Sequence, residues 1–197
     1  MFGIVAFALL GIERFLYGWI YHFPESFKAA CRGPLKGLYH NAEGKYWLVA
    51  KHLGIVIKVF QFGIIGYDLL FRCSLTIAPM VRLCIGIALL LAGQALNSST
   101  FNAIGAMGVY YGSQLGYEVP WYEGFPYNIG ISDPQYWGVV LCIWGVYLIT
   151  MTSDNILAAP YLVPWLETFW YVASMKLLED KSRGGWVLRL LGLTARD

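Results

Sequence analysis

Long apolar stretches constrain this chain more than any other feature. A helix needs about 20 mostly apolar residues to cross the roughly 30 Å hydrocarbon core of a bilayer, and the segments 2–22, 46–66 and 76–96 each have that length. The first is interrupted by Glu13 and Arg14, the second carries Lys51, His52 and Lys58, and the third has Arg82 as its charge. A last apolar region, 137–176, is about twice the length of one span. Its middle reads Thr152-Ser153-Asp154-Asn155, followed by Pro160 and Pro164. Turn and breaker residues in that place predict a helical hairpin. The expected fold is therefore all-α: a polytopic transmembrane helical bundle of about five spans, the last two a hairpin, forming a single domain over 1–197.

Composition excludes the alternatives. Only 13% of the residues are charged, against about 25% in soluble domains, so a water-facing surface could not be built. A net charge of +2 leaves no basic footprint for nucleic acid. Cys31, Cys73, Cys84 and Cys142 are scattered without a CxxC spacing; they read as small apolar packing residues, and no metal is expected. Hydrophobicity begins at Phe2 without a basic region before it, so the first segment reads as a retained span. With five spans, the loop 23–45, the segment 97–135 and the C-terminus share one side. That side holds Lys28, Arg32, Lys36, Lys45, Lys181, Arg183, Arg189 and Arg196, against Arg72 on the other. The positive-inside bias places it in the cytoplasm or an equivalent compartment.

Glu13 and Lys58 fall near the middle of consecutive spans, where an unpaired charge is costly. Antiparallel spans bring their depths to within about 4–5 Å. Glu13 is therefore expected to meet Lys58, or Arg14 to find an acidic or carbonyl partner.

Residues 97–135 have a different character. They are rich in Gly, Tyr and Pro, hold no Lys or Arg, and contain Glu118, Glu123 and Asp133. Gly105, Gly108, Gly112 and Gly116 recur at helical spacing and are expected on one helix face. Such a stripe suits close approach to a nucleotide-like cofactor or the packing of membrane helices, and spacing leaves both open. From Pro120 to Pro134 the chain is too broken by Pro and Gly for regular structure. Asp133 or Ser132 suits an N-cap, and Pro134 the first position of the next helix.

Taken in order, Gly105-Ala106-Met107-Gly108-Val109-Tyr110-Tyr111-Gly112, then Val119-Pro120-Trp121, Gly124-Phe125-Pro126-Tyr127 and Asp133-Pro134-Gln135-Tyr136-Trp137-Gly138 resemble the phospholipid N-methyltransferase family. The series looks most like the plant-type phosphatidyl-N-methylethanolamine N-methyltransferases. Gly93-Gln94-Ala95-Leu96-Asn97 ends the preceding helix as in those enzymes. The resemblance implies an integral membrane enzyme that moves methyl groups from S-adenosylmethionine to phosphatidyl-(N-methyl)ethanolamine, towards phosphatidylcholine. Its substrate would be a membrane phospholipid, in the endoplasmic reticulum or alternatively the mitochondrial inner membrane. The resemblance carries cofactor binding onto Gly105, Gly108 and Glu179, and it matches the loop of Asp133, Pro134 and Tyr136 to one that lines the cofactor site. Tyr110, Tyr111, Tyr127 and Trp137 could face a sulfonium or methylated ammonium, a contact worth about 0.5–2 kcal/mol. The amine must lose a proton before it attacks, for which Glu179 and His52 are the candidates.

Gln114, Tyr117 and Ser132 stand where the plant-type pattern carries basic residues. That departure supplies the rival reading: a catalytically silent relative kept as a structural subunit, with other membrane protein subunits as partners.

Overall fold

The computed structural model describes residues 1–73, 78–120, 122–150 and 159–179. Its elements are α1 (Phe2–His22), α2 (Pro24–Arg32), α3 (Lys36–Asn41), α4 (Tyr46–Tyr67) with a π-helical turn at Asp68–Arg72, α5 (Met80–Val109), α6 (Pro134–Thr150) and α7 (Leu162–Ala173) with a π-helical turn at Ser174–Leu178. Short 3-10 turns lie at Tyr127–Ile129 and Ala159–Tyr161, and no strand occurs among the described residues. Three helical stretches, Phe2–His22, Tyr46–Arg72 and Met80–Val109, are long and apolar enough to cross a membrane, and Pro134–Thr150 is a shorter apolar helix. The chain is thus an all-helical membrane protein. The expected hairpin turn at 152–155 and the cations from Lys181 onward lie outside the described residues.

Side-chain exposure follows the bilayer. Val56, Val59, Phe60 and Phe62 on α4, and Met80, Val81 and Leu91 on α5, all face outward. In water such a surface would drive association; in hydrocarbon it costs nothing, and it is the backbone that must be satisfied internally.

The chain divides into two compact units. The first gathers the described residues of Met1–Gly11, Val59–Thr100 and Glu123–Tyr171; the second gathers those of Ile12–Lys58, Phe101–Tyr122 and 172–179.

In the first unit, α5 and α6 meet through paired glycines. A methyl group at Gly93 would lie 2.5 Å from the Gly138 carbonyl, and one at Gly86 would lie 2.9 Å from the Gly145 carbonyl. The register is antiparallel, and both pairs are spaced by seven residues, two helical turns. Polar groups inside the unit find acceptors. Gln61 donates to the Leu10 carbonyl at 2.9 Å and the Trp170 indole to the Phe7 carbonyl at 2.8 Å. Asp68, fully buried, accepts from the Tyr147 hydroxyl at 2.8 Å and lies 3.6 Å from Arg72.

The second unit packs Tyr17 and Ile20 of α1, Phe27 and Cys31 of α2, Val49 and Ala50 of α4, and Leu115 into one apolar cluster. The same unit also holds the described residues of 101–122 and 172–179. Where a loop was expected, 23–45 forms α2 and α3. The marks of α2 are local: Pro24 at its start, Glu25 in its first turn, Arg32 in its last and Gly33 as the cap, all helix-end preferences.

Candidate functional site

The site in the second unit begins with a buried ion cluster. Glu13 is 2% exposed and pairs with Lys58 at 2.6 Å across α1 and α4, as its depth in the span demanded. Arg14 closes on the same carboxylate and also lies over the Tyr17 ring, 5.1 Å from its centroid. Two cations on one carboxylate relieve the cost of burying any of the three.

Next to this cluster, the chain leaves the membrane span. α5 is interrupted at Gly105, where φ is 66° and ψ 175°. That conformation is nearly exclusive to glycine, and a methyl there would meet open space. Gly105 therefore bends the chain, and it is backbone conformation rather than space that calls for a glycine there. Gly108 does the opposite: a methyl would collide with Ile104 at 2.7 Å and Val119 at 2.9 Å. Beyond Val109 the chain runs through turns. Gly105, Gly108, Gly112 and Gly116 accordingly do not share a helix face, a correction to the periodic reading. Periodicity counts spacing, but a left-handed glycine resets the phase.

The turn delivers Tyr110 and Tyr111 to different neighbours. A methyl at Gly54 of α4 would lie 3.4 Å from the Tyr110 ring and 2.7 Å from the Tyr17 hydroxyl. Tyr111 stacks near Tyr17, with centroids 5.1 Å apart, and its hydroxyl donates to Glu179 at 2.5 Å. The other Glu179 oxygen accepts from the Ser174 hydroxyl. Glu179 caps the final π-helical turn, and its N–H bonds the Ser174 carbonyl at 2.9 Å. Of the residues expected to hold a cofactor, Gly105, Gly108, Tyr110 and Glu179 thus stand in one unit. His52 belongs to the same unit on α4.

A cavity of about 480 Å³ opens here, lined by Tyr21, His22, Pro24, Ser113 and Gln114. Two of its lining residues reach the Glu179 neighbourhood. Tyr21 meets Tyr111 edge-on at 6.5 Å, and the His22 Nε2 lies 2.6 Å from the Leu178 carbonyl. Lys28 of α2 approaches the same segment: its ammonium lies 3.8 Å from where a Gly116 methyl would be, and it pairs with Glu25 at 2.7 Å. Tyr117 accepts the Tyr46 N–H at 3.0 Å. Sequence reasoning missed the cavity because its walls are a helix end, a proline start and a turn, with no shared motif.

Asp133, Pro134 and Tyr136 belong to the first unit. Pro134 opens α6 as expected. The Asp133 carbonyl accepts the first helical bonds, from Tyr136 at 2.9 Å and Trp137 at 3.3 Å. Asp133 itself has φ 52°, a left-handed residue rather than the extended one typical of an N-cap. Tyr136 meets Tyr171 edge-on at 5.3 Å. Burial first, then the Asp133 carboxylate, raise the Tyr127 phenol above its ordinary value. The Phe125–Pro126 bond is cis.

Set beside known proteins, residues 81–181, just over half of the chain, match the family model described as phospholipid methyltransferase. A stretch of 51 residues is 39% identical to a phosphatidyl-N-methylethanolamine N-methyltransferase of Arabidopsis thaliana. That match covers 26% of this chain and 30% of the plant protein's length. No solved structure matches.

Proposed function

This chain belongs to the phospholipid methyltransferase family, and we propose that it methylates the amine of phosphatidyl-(N-methyl)ethanolamine with S-adenosylmethionine, towards phosphatidylcholine. The observation that carries this reading is the return of Glu179 to Tyr111, which joins the end of the last helix to the glycine box beside a cavity. The cavity lies within the roughly 300–1,000 Å³ of small-molecule clefts. Its hydroxyl and amide groups, with the carboxylate and paired tyrosines nearby, suit a cationic and polar cofactor. S-adenosylmethionine would supply a methyl group on a positively charged sulfur.

The work left to the chain is binding, orientation and exclusion of water, because the reacting nitrogen and carbon need only be held about 3–3.5 Å apart. Glu179 offers negative charge to an ammonium or sulfonium, and the hydroxyls of Tyr111 and Ser174 hold it in place. The bend at Gly105 and the small Gly108 set the path of the tyrosine pair. Glu179 and His52 are the candidate proton acceptors read from the sequence. Lys28 supports an anionic partner such as a lipid phosphate next to Gln114 and Tyr117, where the plant-type pattern has its own cations. The endoplasmic reticulum is the membrane proposed, and the mitochondrial inner membrane the alternative.

A second reading, the silent subunit of a larger membrane complex, draws support from Gln114, Tyr117 and Ser132, which stand where the plant-type pattern carries basic residues. Methyl transfer from labelled S-adenosylmethionine to monomethylated phosphatidylethanolamine separates the two. The expected result is transfer by the wild type and a loss of tenfold or more, by about 1.4 kcal/mol or more, in Glu179→Ala. Folded wild type with neither transfer nor cofactor binding would establish the subunit reading instead.

A further inference from the structure

We propose that His22 is the residue that takes the proton from the lipid amine. This rests on the methyltransferase reading and adds to it a base that neither the glycine box nor Glu179 supplies. Three observations carry it. First, His22 lines the cavity, and it brings the one imidazole among the lining residues. Second, its tautomer is set by geometry. The Nε2 atom lies 2.6 Å from the Leu178 carbonyl oxygen, and a carbonyl only accepts, so Nε2 carries the hydrogen. In the neutral ring the lone pair is then on Nδ1, the atom able to receive a proton. Third, depth suits the substrate. His22 is the last of 21 residues of α1, and such a helix is about 31 Å long, just the hydrocarbon core. A phospholipid headgroup therefore reaches His22 without leaving the bilayer surface.

The other candidates fare worse on the same criteria. On the depth scale set by the Glu13–Lys58 pair, His52 is six residues from that level and His22 nine, so His52 sits about 4–5 Å deeper in the span. The Glu179 oxygens accept from the hydroxyls of Tyr111 and Ser174, which fixes the group as a charge partner, and a carboxylate is by nature a weaker base than an imidazole.

The step balances. The ammonium N–H proton passes to Nδ1, and the freed nitrogen lone pair forms the new C–N bond. The S–C bond breaks with its electron pair going to sulfur, which leaves as a neutral thioether. The imidazolium then returns its proton to water at the membrane surface.

The test compares purified His22→Gln and His22→Ala with the wild type in detergent-lipid micelles. Glutamine keeps an N–H for the Leu178 carbonyl but has no basic nitrogen. Both variants are expected to bind S-adenosylmethionine within about twofold of wild type and to lose about a hundredfold in kcat, the scale of general base catalysis. Added imidazole is expected to restore His22→Ala by about tenfold. Wild-type kcat in His22→Gln overturns the proposal alone, because the residue then only anchors the last turn. Loss of cofactor binding in both variants, or no rescue by imidazole, likewise overturns it. A wild type that neither binds the cofactor nor transfers methyl overturns the methyltransferase reading and this proposal together.

Discussion

The first unit joins two helices backbone to backbone through glycines; the second gathers two cations on one buried carboxylate. Gly86 and Gly93 bring α5 against Gly145 and Gly138 of α6, backbone to backbone, which is how membrane helices gain dispersion contacts without a hydrophobic driving force. The second unit has Glu13, Arg14 and Lys58 in a shared ion cluster with Arg14 over the Tyr17 ring, and Tyr111 packs against Tyr17 and Tyr21. Its glycine at 105 bends the backbone, with open space where a methyl would be. Small residues are cheap ways to join helices, whereas buried charge is kept where something polar must be held in place.

The largest expected effect breaks the charged half of that contrast. Glu13→Ala leaves Arg14 and Lys58 facing each other without their common carboxylate. Breaking a buried pair by removing one partner costs about 3–5 kcal/mol. Thermal unfolding in detergent should show a large drop in midpoint, and Glu13→Ala,Lys58→Met should recover part of it. If Glu13→Ala unfolded like the wild type, the cluster would be a surface feature, and the contrast between the units would fail.

Next in size are two glycines that should fail for different reasons. Gly93→Ala puts a methyl 2.5 Å from the Gly138 carbonyl, and overpacking of this kind costs about 1–3 kcal/mol. Gly105→Ala meets no atom, but its φ of 66° with ψ of 175° costs about 1–3 kcal/mol in backbone strain. Side-chain size tells them apart. Leu at 105 meets open space and should cost about what Ala costs, because the strain lies in the backbone, while Leu at 93 should be much worse than Ala. An equal further loss from Ala to Leu at both sites would remove the distinction between contact and bend.

The spans were legible because length and apolarity are local quantities: α1 coincides with the segment read from the sequence, and α4 begins where it was expected. The Glu13–Lys58 pair was legible for a related reason, since antiparallel neighbours share depth. What failed was phase. The glycines from 105 to 116 look periodic on paper, but Gly105 breaks the helix on which that periodicity depends. The glycines that do form an interface, 86 and 93 against 138 and 145, are about fifty residues apart in sequence, and nothing local couples them. α2 was overlooked although Pro24, Glu25, Arg32 and Gly33 mark its ends, because its apolar face is short and was read as loop. His22 was passed over as the last residue of a span; its value as a site residue comes from Leu178, 156 positions away.

The smallest effect compares one thiol from each unit. Burial pushes the Cys31 thiol of the second unit up to about 11, opposed by Arg32. The Cys73 thiol of the first unit is also raised to about 11, by burial and then by the Asp68 carboxylate beside it, with its sulfur 3.7 Å from that oxygen. A thiol whose value in the folded state lies above its unfolded one, about 8.5, adds stability that is complete below that pH. The contribution is lost as pH rises from there towards about 11. Both cysteines therefore predict slow alkylation by iodoacetamide at pH 9 and a stability that declines above it, but for different causes. Asp68→Asn removes a negative charge next to Cys73 and leaves Cys31 untouched. Alkylation of Cys73 at pH 9, followed by mass spectrometry in detergent, should then speed up severalfold, while Cys31 keeps its rate. Equal acceleration at both sites would mean that the substitution had loosened the whole fold. No change at Cys73 would mean that burial alone holds its proton, and that the carboxylate of the first unit serves only Tyr147 and Arg72.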